Sequence, residues 1–247
     1  MGYPPSIAGR LVVAIDPPKG ECSVASAYQY VERFVRSIAG VGDVIVKVNS
    51  ALRGNYQLLR TIKEFGFRTF ADLKLSDTPT TMESDSVILR GYEPDFVTVM
   101  CSAGRDSLQT IAQIFNGTRT EVLGVTILTS LNERDCQNLY YEYDTGKVVL
   151  RHADVAIKSG LSGLVCSTLE IGLLRAAFKE RCTLNVPGIR PAWHRTPGNH
   201  KKRVGTPTEA IRAGATRIIV GSPITGNASP REAIEKILEE ISIASSD

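Results

Sequence analysis

The sequence predicts an α/β fold, a single (β/α)8 TIM barrel, with residues 1–247 forming one domain. Three observations carry that prediction. Eight short apolar runs alternate with segments of helical spacing, at roughly the 30-residue step of a βαβ unit. The runs are too uniformly apolar for a sheet with one wet face, so a parallel, covered sheet is expected. No G-x-G-x-x-G follows the first run, which counts against an open dinucleotide-binding sheet and in favour of closure.

Leu11 to Ile15 (LVVAI) is the first strand, closed by Asp16 and the breaker Pro17-Pro18. Val24, Ala27, Val31, Val35 and Ile38 then recur on one face of a helix over 23–38. The second strand spans 43–48, with Lys47 and Asn49 at its end, and a helix over 51–65 stops at Gly66. Residues 67–74 and 95–100 are the third and fourth strands, followed by helices over 80–90 and 105–115. The fifth strand covers 121–128. A polar stretch, 129–145, leads into a helix ending near Gly160. The last three strands are 163–166, 182–186 and 217–220, with helices over 169–178, 206–213 and 230–243 and a cation-rich loop over 187–205.

Composition narrows the function classes. Hydrophobic content of 43%, charged content of 22% and a net charge of +3 describe an ordinary globular chain. That charge is too small to argue for nucleic acid, and no apolar run approaches the ~20 residues of a membrane span. The first ten residues carry no signal-peptide core, and Ile7 stands where a myristoylation signal needs Ser or Thr. The five cysteines (Cys22, Cys101, Cys136, Cys166, Cys182) form no C-x-x-C and no metal-ligand spacing with the three histidines. A reducing cytoplasm, no disulfides and no metal site are expected.

The chemistry is concentrated in TFADLKLSDTPTT, Thr69 to Thr81. A strand here points Phe70, Asp72 and Lys74 to one side. Asp77 follows on a turn, Pro79 stops the strand, and Thr80, Thr81 and Glu83 begin a helix. Charges held this close and partly out of water set one another's protonation states, as proton transfer requires; a solvated mixed-charge face has the same pattern. Catalytic sites of barrels lie at the C-terminal ends of strands. Asp16, Lys47, Asp72, Lys74 and Asp77 all fall there, at three adjacent strands. Singly, such residues are ordinary turn or cap formers: Asp16 before two prolines is one, and Ser167 is a good N-cap. PGIRP (187–191) and VGSPIT (220–225) bring glycine backbones to the usual phosphate position of a barrel; singly, Gly188 and Gly221 would supply only turn geometry, but paired at this location they point to phosphate. His152, His194 and His200 read as structural or loop residues.

Asp72, Lys74, Asp77, Pro79 and Thr81 spell D-x-K-x-x-D-x-P-x-T, and this resembles the signature of orotidine 5′-monophosphate decarboxylase. Asp16, Lys47 in VKVN, Ser130 and PGIRP match in order. The likeness covers nearly the whole chain and looks closest to the short archaeal-type enzymes. A sister group, 3-keto-L-gulonate-6-phosphate decarboxylase and hexulose-6-phosphate synthase, shares the shorter D-x-K-x-x-D. Those relatives use Mg²⁺ and generally carry an acidic residue where this chain has Lys47. A barrel that binds nucleotide without turning it over is the remaining alternative.

The resemblance implies a cofactor-free decarboxylase of orotidine 5′-monophosphate in which Lys74 protonates C6 and Asp72 lies against the departing carboxylate. It implies that Asp16 and Lys47 bind ribose hydroxyls, that Ser130 meets the pyrimidine edge, and that Pro187, Gly188, Arg190, Gly221 and Ser222 mark the phosphate end. It also implies a homodimer, with Asp77 and Thr81 reaching the neighbouring site. One departure stands out. The family usually has Gly-Arg after the eighth strand, and here Gly221-Ser222 stands in its place. A hydroxyl cannot replace a bidentate guanidinium. Either a loop cation (Arg190, Arg195, Lys201, Lys202 or Arg203) compensates, or phosphate is held weakly and KM is raised.

Overall fold

Eight parallel strands close on themselves in sequence order, β1 pairing with both β2 and β8. They are β1 (Leu11–Ile15), β2 (Ile45–Val48), β3 (Arg68–Leu75), β4 (Phe96–Met100), β5 (Glu121–Val125), β6 (Gly163–Val165), β7 (Thr183–Val186) and β8 (Arg217–Val220). The computed structural model describes residues 3–18, 23–194 and 204–246. The outer layer comprises α1 (Pro5–Ala8), α2 (Val24–Ser37), α3 (Ser50–Gly54), α4 (Gln57–Glu64), α5 (Pro79–Arg90), α6 (Arg105–Phe115), α7 (Glu133–Tyr140), α8 (Thr145–Lys158), α9 (Ile171–Phe178), α10 (Pro207–Arg212), α11 (Ser222–Thr225) and α12 (Pro230–Ser246). The barrel predicted from the alternation of runs is therefore present, and β1, β8 and α6 have their expected limits.

Two cores result from the period-2 geometry of the strands. Outward side chains such as Val13, Val46, Ala71 and Val97 join the helices in one continuous buried cluster. Inward ones (Val12, Ile45, Phe70, Phe96, Leu123, Val165, Ile219) fill the barrel itself. Phe70 and Phe96 are fully buried at its centre with ring centroids 5.6 Å apart. Truncating either to alanine should cost about 3–5 kcal/mol.

Along each inward row the chemistry changes with height. Two residues before Phe70 is Arg68, and two after it is Asp72. Below the apolar layer, Arg217 forks onto Glu121, Nη2 to Oε1 at 2.6 Å and Nη1 to Oε2 at 3.0 Å. Thr183 and Asn185 complete that floor by hydrogen bonds to Glu121 and Arg217. Above the apolar layer lies the cluster described next.

The sequence reading lacks α1 and α11 and places several other limits a few residues off; three further differences have a clear physical cause. The helix expected over 51–65 is two helices. Asn55 is extended (φ −162°, ψ 105°) and its Oδ1 accepts the Gln57 N–H, an Asx turn that ends α3 and starts α4. The polar stretch 129–145 contains α7, started by a reciprocal cap in which Asn132 Oδ1 accepts the Asp135 N–H and Asp135 Oδ2 accepts the Asn132 N–H. The fifth strand ends at Val125, three residues early. Beyond it, the Thr126 N–H crosses to the Val165 carbonyl.

Candidate active site

At the C-terminal mouth, β2, β3 and β4 converge on one carboxylate. Asp72 Oδ2 accepts a hydrogen bond from Lys47 Nζ at 2.8 Å, and Oδ1 accepts one from Lys74 Nζ at 2.8 Å. The Thr98 hydroxyl donates a third to Oδ1 at 3.0 Å. Lys47 and Asp72 are 8% and 6% exposed, so a buried ammonium and carboxylate compensate each other. The Lys74 side chain is 28% exposed and opens toward the mouth. Burial pushes the Asp72 carboxyl up, but the charges and hydrogen bonds of Lys47 and Lys74 outweigh it and hold the group below its ordinary 3.8. The cluster holds two ammoniums against one carboxylate. That surplus is suited to stabilising negative charge, and Lys74 is the member able to meet an incoming molecule.

The local backbone at Lys74 is unusual. The β3–β4 register runs Phe70↔Phe96 and Ala71↔Val97, then shifts so that Leu75 pairs with Val99. Inside this bulge Lys74 has φ +50°, a left-handed conformation that is uncommon for a lysine. Simple strand alternation, the basis for placing Asp72 and Lys74 on one side, is thus broken between Ala71 and Leu75. The two side chains meet through a kink.

The remaining predicted site residues follow the C-terminal ends of their strands in the chain. Asp16 is exposed beyond β1. Asp77 and Thr81 are exposed at the start of α5. Asp77 Oδ1 accepts the Thr78 N–H at 2.7 Å, and this bond, with the Thr81 side chain, holds its carboxyl low. Ser130 is exposed on a turn after β5. Pro187, Gly188 and Arg190 are half-buried, and the segment folds back so that the Arg190 N–H donates to the Gly205 carbonyl at 2.9 Å.

The two glycines read as a pair are not equivalent. Gly188 has φ +78° and needs to be glycine. Gly221 has φ −111°, and a Cβ there would meet only Ala14 at ordinary contact distances of 3.6 and 3.7 Å. Ser222 is exposed as the first residue of α11. Of the cations weighed as substitutes for a phosphate-clamping arginine, Arg190 is described, whereas Arg195, Lys201, Lys202 and Arg203 lie outside the described residues, as do His200 and Cys22.

Sequence reasoning missed Thr98 and Arg53. Thr98 had a usable signal: it is the polar residue on the inward row Phe96–Thr98–Met100. Arg53 had none, because its reach depends on where α3 ends. Ser167 does cap as expected, accepting the Leu169 N–H. His152 is structural, its Nδ1 hydrogen-bonded to the Thr126 carbonyl and its ring edge-on to Tyr140.

Comparison with known proteins decides the lineage. Residues 9–237 match the family model described as orotidine 5′-phosphate decarboxylase / HUMPS family. The chain belongs to that family. An orotidine 5′-phosphate decarboxylase of Desulfosudis oleivorans is 34% identical over 239 residues, covering 93% of each chain. One from Methylococcus capsulatus is 34% identical over 243 residues, covering 96% of this chain and 94% of its own. The crystal structure of the Lactobacillus acidophilus orotidine 5′-phosphate decarboxylase superposes with a TM-score of 0.76 at 27% identity, over 94% of this chain and 98% of that one.

Proposed function

We propose that this family member is an enzyme that decarboxylates orotidine 5′-monophosphate to uridine 5′-monophosphate without metal or organic cofactor, a step of pyrimidine synthesis. The observation that carries the reading is Asp72 held between Lys47 and Lys74, with Lys74 the more accessible ammonium. Loss of CO₂ from C6 leaves an electron pair in the plane of the pyrimidine, with no adjacent carbonyl to accept it. A fixed ammonium is the group that can stabilise such a carbanion, and its proton then completes the product. Asp72 orients Lys74 and lies beside the substrate carboxylate, whose repulsion ends as CO₂ departs.

The other roles are those that the family resemblance implies. Asp16 and Lys47 face ribose hydroxyls, Ser130 the pyrimidine edge, and Pro187, Gly188, Arg190, Gly221 and Ser222 the phosphate. Phosphate binding at that distance helps hold C6 at Lys74. Asp77, before α5, and Thr81, in its first turn, are exposed, and the same helix carries the exposed apolar side chains of Val87 and Ile88; this suits a homodimer in which Asp77 and Thr81 complete the partner's site. A divalent cation in place of this chemistry would have to sit against the Lys47 ammonium, where the Mg²⁺-using relatives generally carry an acid. A cytoplasmic location belongs to the same reading. Cys101, Cys136, Cys166 and Cys182 are buried, and no helix among the described residues is long and apolar enough to cross a membrane.

The test is the ultraviolet absorbance of orotidine 5′-monophosphate mixed with the protein, in EDTA and then in Mg²⁺. Loss of orotate absorbance in EDTA, abolished by Lys74→Ala, is the expected result. No change in EDTA at high substrate, with turnover of a sugar phosphate in Mg²⁺, would overturn it.

A further inference from the structure

The bulge in β3 leaves the Leu73–Lys74 peptide outside the regular strand ladder, and side chains from two other elements take hold of it. The Leu73 carbonyl accepts a hydrogen bond from Arg53 Nη2 at 2.6 Å. On the other side of the same peptide, the Lys74 N–H donates to Thr98 Oγ1 at 2.9 Å. The Thr98 hydroxyl hydrogen is then directed to Asp72 Oδ1 at 3.0 Å. Thr98 is fully buried, between the apolar barrel layer and the ion cluster.

We infer that Arg53 and Thr98 act together as positioning residues, clamping the Leu73–Lys74 peptide at its carbonyl and its amide so that Lys74 keeps its left-handed backbone and its ammonium stays on Asp72. The inference rests on the reading of Lys74 as the proton donor. A lysine at φ +50° persists only where its surroundings over-determine it. Here Arg53 arrives from α3, the helix after β2, and Thr98 from β4, so a helix and a neighbouring strand fix the kink of β3. Thr98 has a double duty that a carbon isostere cannot perform: it accepts from the backbone of Lys74 while donating to the carboxylate that holds the Lys74 side chain. Backbone and side chain of the same residue are thereby referred to one hydroxyl.

The test compares the full-length wild type with Thr98→Val, Thr98→Ser and Arg53→Met. It measures kcat and KM for orotidine 5′-monophosphate in EDTA, melting temperature, and amide hydrogen exchange across residues 70–78 without substrate. Displacing a reacting group by about 1 Å can cost on the order of 10²-fold, so Thr98→Val should lose kcat on that scale. Its KM should stay within about threefold, because the lost interaction belongs to the transition state. Thr98→Ser restores the hydroxyl and should recover most of kcat. Arg53→Met, altering an exposed side chain, should lower kcat roughly tenfold with little change in melting temperature. Exchange at the Lys74 amide should accelerate in Thr98→Val.

A wild-type kcat in Thr98→Val or in Arg53→Met would overturn the clamp, as would a serine variant as impaired as the valine one while both remain folded. Should Thr98→Val fail to fold, the serine and methionine variants decide. Should the wild type show no decarboxylation, the functional reading falls separately, and unchanged exchange in the folded variants would then overturn the clamp itself.

Discussion

At the floor of the barrel one guanidinium meets one carboxylate fork to fork, whereas at its mouth two ammoniums share the carboxylate of Asp72. The apolar layer of Phe70 and Phe96 separates the two clusters, with Arg217 stacked over the Phe96 ring at 4.5 Å on the floor side. The floor is balanced: its charges match and its planar groups engage in two parallel bonds, the geometry in which arginine binds carboxylate most strongly. The mouth is unbalanced, with flexible point charges and one cation too many. The first arrangement closes a barrel end, and the second leaves bonding capacity for a ligand.

Substitutions at the two ends should therefore separate activity from stability. The largest effect is expected from Lys74→Ala, a loss of at least about 10³-fold in turnover, with the melting temperature nearly kept because Lys47 still compensates Asp72. A tenth of wild-type turnover in that variant would break the distinction. Next is Glu121→Ala at the floor, which strands Arg217, a side chain 11% exposed. It should destabilise the fold by about 2–4 kcal/mol and lower the melting temperature by roughly 5–15 °C, with kcat per folded molecule unchanged.

Acid sharpens the comparison further. The folded-state Asp72 carboxyl is held below its ordinary 3.8, so its contribution to stability is complete above that pH and is lost as pH falls through the folded value. The stability gap between wild type and Asp72→Asn should accordingly be constant near neutrality and narrow below pH 3.8; denaturant midpoints across that range check it. The smallest effect is expected from Ser222→Arg, which supplies a guanidinium at the start of α11. It should lower KM by about tenfold, and an unchanged kcat/KM would reject the idea that phosphate is weakly held here.

What the sequence revealed followed the reach of its signals. The strands were readable because apolar runs stop at Asp16-Pro17 and Gly221, and the eight-unit rhythm implied closure. The break at Asn55 was hidden, since the apolar spacing of Leu52, Leu58, Leu59 and Ile62 continues through it. The helix α7 was hidden for the opposite reason: it has little apolar periodicity, and its sign was the Asn132–Asp135 cap. In the site, Lys47, Asp72 and Lys74 were legible from strand-end position. The left-handed turn at Lys74 was not, because it is imposed by Arg53 and Thr98, which lie 21 residues before and 24 after it in the chain.

That turn sets selection for durability against selection for turnover at one codon. Glycine would occupy φ +50° without the steric cost, about 1 kcal/mol, that a side chain incurs there. A Lys74→Gly chain should melt no lower than the Lys74→Ala chain while being equally inactive, a difference that calorimetry of the two variants can read. The position thus carries a backbone cost that the lysine side chain has to justify through its bond to Asp72, and heat tolerance alone is a poor readout of whether that lysine is kept.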